Sequence, residues 1–153
     1  MNRSSKRGEV VSLAHHRWLR DEFDVLFSEG MDLTNTVAEY LYGPGRQESA
    51  ALPHWPRAAY RTESMHITTL LTQLMAWLFV QRAIKEYERL AEFEKRKVRP
   101  NKLARLNVGQ MAELPEKFLA LAQRANRLLE KILEADAKYM QYKGAETPLR
   151  ASG

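Results

Sequence analysis

The apolar residues of this chain follow steps of three and four in three separate stretches. Because an α-helix has 3.6 residues per turn, such steps place the apolar side chains on one face of a helix. The stretches predict helices over about 21–42, 57–94 and 115–142. No stretch has the period of two that is typical of a half-buried strand. The sequence therefore predicts an all-α fold, an antiparallel three-helix bundle with a long central helix.

Helix-breaking residues mark the ends of the predicted helices. Gly43-Pro44-Gly45 stops the first helix, with a glycine available for a left-handed cap, and Pro115 suits a first helical position. We expect the connector of residues 95–115 to be mainly irregular. The predicted organisation is a flexible basic arm at 1–20, the bundle at 21–142 and a flexible tail at 143–153.

The central helix predicts a second subunit. Its apolar stripe faces one way, and its opposite side carries small residues that allow a neighbouring helix to approach closely. The other two helices of one chain cover only part of such a helix, so we expect a twofold homodimer. The residues predicted at the core or dimer interface are Ile67, Leu71, Thr72, Leu74, Met75, Ala76 and Leu78.

Two residues interrupt the inward stripes of the flanking helices. Gly30 lies on the stripe of the first helix, where glycine costs about 1 kcal/mol of helix propensity relative to alanine. It predicts that another backbone comes close. Asp136 lies on the stripe of the third helix and predicts looser packing there.

Charge is polarised along the chain, whose net charge is +5. Residues 21–48 hold seven acidic residues against one basic residue, whereas residues 89–105 hold seven basic residues against two acidic ones. Such alternation favours oriented association with charged partners. The candidate partner-binding residues are Glu29, Asp32, Glu39, Arg46, Arg96, Lys97 and Arg99.

Catalytic and cofactor motifs are absent from the sequence. It has no cysteine, no phosphate-binding loop and no nucleophile elbow, so we expect no enzyme activity, no cofactor and no metal. Glu63 and His66 have the i, i+3 spacing of di-iron bundles, but such sites need two copies of that motif. Residues 65–80 are too short and too polar for a membrane span, and the N-terminus lacks the apolar core of a secretory signal, so we expect a cytoplasmic protein.

Several ungapped sequence words occur in one order between Phe23 and Asp136. They are Leu26-Phe27-Ser28-Glu29-Gly30-Met31, Ala38-Glu39-Tyr40-Leu41-Tyr42-Gly43-Pro44-Gly45-Arg46, Tyr60-Arg61-Thr62-Glu63-Ser64-Met65-His66-Ile67-Thr68-Thr69 and Gln73-Leu74-Met75-Ala76-Trp77-Leu78. Together they resemble the RcdA family of alphaproteobacteria, the regulators of CtrA degradation.

The resemblance implies a homodimeric three-helix bundle that serves as a noncatalytic adaptor for the protease ClpXP in cell-cycle control. It further implies action after CpdR has primed the protease, recruitment of PopA, and cargo such as CtrA or TacA, with recruitment to a cell pole. The residues leave one alternative open, a DNA-associated helical regulator that uses the basic connector and N-terminal arm.

Overall fold

The computed structural model describes residues 3–86 and 99–146, with side chains for residue 18 and for 21–83 and 99–141. Its elements are α1 (Arg3–Tyr42), α2 (Pro44–Ala50), α3 (His54–Glu86) and α4 (Glu116–Glu146), with 3-10 turns at Pro100–Lys102 and Val108–Gln110. Every regular element in these described ranges is helical, which confirms the all-α fold.

The helix boundaries differ from the sequence prediction at several ends. Helix α1 begins at Arg3, so residues 3–20, predicted as a flexible arm, continue the helix; no proline interrupts them. Helix α3 begins at His54, and the predicted helix over 87–94 lies outside the described residues. Helix α4 runs to Glu146, past the predicted start of the tail at 143, and residues 147–153 lie outside the described ranges.

Gly43, at the end of α1, is required because a side chain would not fit there, and not because the backbone is left-handed. Gly43 has φ −113°, so the predicted left-handed cap does not form. A Cβ atom at Gly43 would lie 2.8 Å from the Glu39 carbonyl oxygen. The Gly43 amide donates to that same carbonyl at 3.0 Å, and Pro44 then starts α2, a helix that the sequence analysis did not predict.

The three long helices pack around one core, with an aromatic cluster near each end. Phe23 contacts Trp77 and Tyr139 edge-on, with ring centroids 5.6 and 6.2 Å apart. At the other end, Phe118 lies 6.4 Å from Tyr40 and 5.3 Å from Tyr60. These contacts make α1 antiparallel to both α3 and α4, while α3 and α4 run in the same direction. The long connector between α3 and α4 makes this possible, because it returns the chain to the end where α3 began.

Packing around Gly30 and Asp136 differs from the expectations. The space that a Gly30 side chain would fill is occupied by the sulfur of Met75, a side chain and not the predicted backbone. Asp136 is buried and is paired with Arg99, so the expected loosening does not occur.

Candidate interaction surfaces

The apolar stripe of α3 is used inside the chain. Ile67, Leu71, Leu74 and Leu78 are all buried in the bundle core. Met75 is half-buried, and Thr72 and Ala76 are exposed. Of the residues predicted at the core or dimer interface, the four leucine and isoleucine residues therefore form the core, while Thr72 and Ala76 lie at the surface and Met75 lies at its edge.

The outer side of α3 carries an apolar strip that the sequence analysis only partly identified. Its members follow steps of three and four on the face opposite the core: Met65, Thr68, Thr72, Ala76 and Phe79. We call this set the α3 stripe. Met65 and Phe79 are 70% and 65% exposed and lie on the same face, so they belong to one patch. The signal for it was present in the spacing, where bulky residues bracket the small ones.

A groove of about 740 Å³ adjoins the α3 stripe, between α1 and α3. Leu41 and Tyr42 contribute from α1, and Tyr60 and Met65 from α3. Tyr42 is 78% exposed. The groove and the α3 stripe together form a contiguous surface with apolar side chains on two helices, which is typical of a protein interaction site.

The acidic face of α1 is a seam with α4. Three of its carboxylates form ion pairs with cations of the antiparallel helix: Glu22 with Lys138 at 3.6 Å, Glu29 with Lys131 at 2.9 Å and Asp32 with Arg124 at 3.3 Å. Two of the predicted partner-binding residues, Glu29 and Asp32, thus already have partners within the chain. Glu39, further along α1, and Arg46, on α2, are exposed.

The described part of the connector is fastened along α4. Arg99 donates from one nitrogen to both oxygens of Asp136, at 3.2 and 3.3 Å, and Arg105 pairs with Glu130. Arg99, predicted to bind a partner, therefore serves first to hold the connector. Arg96 and Lys97 lie outside the described residues.

Asn126 is the buried link between the connector and α4. Its Oδ1 accepts a hydrogen bond from the Leu106 amide, and its Nδ2 donates to the Leu106 carbonyl, both at 2.9 Å. The side chain thus imitates the pairing of a neighbouring strand. Asn126 is not among the residues predicted from the sequence, although a polar residue between Ala122 and Leu129 on the apolar stripe was a usable signal.

Gln81 is a second buried polar residue that the sequence analysis missed. It is 1% exposed, and its Nε2 has no hydrogen-bond partner among the described residues. It follows Leu74 and Leu78 on the inward stripe of α3, so its position also could have marked it.

Two tyrosines are held neutral where α1, α2 and α3 meet. The Tyr40 hydroxyl donates to Glu48 Oε2 at 2.7 Å. Burial, with the added effect of that carboxylate, raises the pKa of Tyr40 well above its usual value. Burial likewise raises the pKa of Tyr60. Both phenols are therefore structural groups here, and α2 is the element that brings Glu48 to Tyr40.

Within the described ranges, Glu63 and His66 partly match the pattern of a metal site. No group of three or more metal-ligating side chains occurs there. Within the part of the chain that the structure describes, His66 pairs with Glu63, at 3.2 Å, and is exposed. No helix among the described residues combines the length and apolarity required to cross a bilayer.

The described residues form a helical bundle whose distinctive features are exposed apolar and charged surfaces. Such surfaces are typical of proteins that bind other proteins. A family model described as "Protein of unknown function (DUF1465)" matches residues 14–152. The crystal structure of RcdA from Caulobacter crescentus CB15 is similar, with 34% sequence identity, a TM-score of 0.57, and coverage of 76% of this chain and 91% of that one. This chain belongs to the family that the matching model describes, and it is RcdA-like. No curated protein matches it.

Proposed function

We propose that this protein is a noncatalytic adaptor that delivers regulatory proteins to the ClpXP protease in bacterial cell-cycle control. The observation that carries the proposal is the 34% identity to RcdA over 91% of that chain. The proposed partners are CpdR-primed ClpXP, PopA, and cargo such as CtrA or TacA. Such an adaptor works in the cytoplasm, and we extend the proposal to recruitment at a cell pole.

Tethering explains how the proposed adaptor would accelerate proteolysis without cleaving cargo itself. Holding cargo beside the protease makes the second encounter intramolecular, which raises the effective concentration and strengthens overall binding by about 10²–10⁴-fold without new chemistry. The proteolysis itself belongs to ClpXP. The adaptor supplies only surfaces, of which exposed Glu39 and Arg46 are the candidates nearest the end of α1.

The test is ATP-dependent degradation of purified CtrA or TacA by ClpXP with CpdR, in the presence and absence of this protein. We expect faster loss of cargo only when the protein is present. Unchanged degradation of both cargoes, with this protein folded by circular dichroism, would refute the delivery role.

We further propose that the adaptor is a twofold dimer formed by antiparallel packing of two α3 stripes. Met65 and Phe79 lie at equal sequence distance on either side of Thr72. A twofold axis at Thr72 would therefore set Met65 of one copy against Phe79 of the other, with the small residues allowing the helices to meet between them. The partner's Phe79 would then lie at the mouth of the α1–α3 groove, which Met65 lines.

Analytical ultracentrifugation of two variants tests the dimer. Thr72→Arg places two like charges at the proposed axis and should give a monomer. Gln73→Arg adds the same charge on α3 about 100° away around the helix, and should remain dimeric. A dimer that tolerates Thr72→Arg as well as Gln73→Arg would remove the α3 stripe from the interface.

The DNA-associated alternative receives less support. Arg99 and Arg105, two of the connector cations, are paired with carboxylates of α4. A phosphate would have to displace a partner that is already in place.

A further inference from the structure

We draw no further inference here: the strongest candidate, the groove between α1 and α3 that Arg61 and exposed Tyr42 line, belongs to the dimer interface already proposed, because Met65, Thr68 and Thr72 line it and are members of the α3 stripe.

Discussion

Replacing Asn126 by alanine should loosen the connector from the bundle. The substitution removes both hydrogen bonds to the backbone of Leu106, which is 6% exposed. An unsatisfied buried polar group costs about 1–3 kcal/mol. Because Arg105 and Asn107 on either side are exposed, water can reach the freed groups, and we expect a total loss toward the lower end, about 2–3 kcal/mol.

Urea unfolding followed by far-ultraviolet circular dichroism measures that loss, with Gln123→Ala, an exposed change of similar size on the same helix, as the control. Amide exchange at Leu106 reports whether the connector opens locally before the bundle unfolds. A loss below about 0.5 kcal/mol, equal to the control and with Leu106 exchange unchanged, would refute the view that Asn126 fastens the connector.

Three further outcomes follow from individual contacts in the bundle. Gly45→Ala would bring a Cβ atom within 2.7 Å of the Tyr40 carbonyl oxygen and should lower the free energy of unfolding by about 1–3 kcal/mol. Gly109→Ala, whose Cβ atom would have its nearest neighbour at 3.5 Å, should leave stability nearly unchanged, and the melting temperatures of the two variants test this difference. The fold raises the pKa of Tyr40, so the neutral phenol stabilises the folded state fully below the unfolded-state pKa of about 10, and this stabilisation is lost as the pH rises through the folded-state pKa. Tyr40→Phe removes the titrating group and should therefore flatten the fall of the urea midpoint at alkaline pH. Glu29→Lys should cost at most about 1 kcal/mol because the pair is largely exposed, and the double swap with Lys131→Glu should restore the loss; failure of the swap to do so would place the cost elsewhere.

Local periodicity predicts three long helices and their inward faces, but neither α2 nor the part of α1 before residue 21. The stripes containing Phe23, Leu74 and Phe118 are buried, as their spacing indicated. The same patterns do not report distant pairings. Arg99 and Asp136 are far apart in the sequence. From the sequence, Arg99 is interpreted as a surface cation and Asp136 as a break in an apolar stripe. They pair because the connector packs along α4 in the folded chain.

The acidic residues of α1 are predicted to bind a partner protein because the sequence of one helix does not show which helix packs beside it. Helical periodicity places Glu29 outside the apolar stripe of α1, but the angle between α1 and α4 determines whether Lys131 lies close enough to pair with it. Helix packing angles depend on the whole set of contacting side chains and are not specified by one helix. The α3 stripe differs, because the spacing of residues along one helix is enough to place them on one face.

The parallel arrangement of α3 and α4 sets the order in which the molecule can fold. Helices α1 and α3 are joined by a short segment and can pair as soon as both exist, whereas α4 must wait until about 30 residues of connector have closed a loop. Closing such a loop costs about 3 kcal/mol of chain entropy, before any contact of α4 compensates for it. During synthesis the α1–α3 pair therefore has an uncovered apolar side until α4 docks.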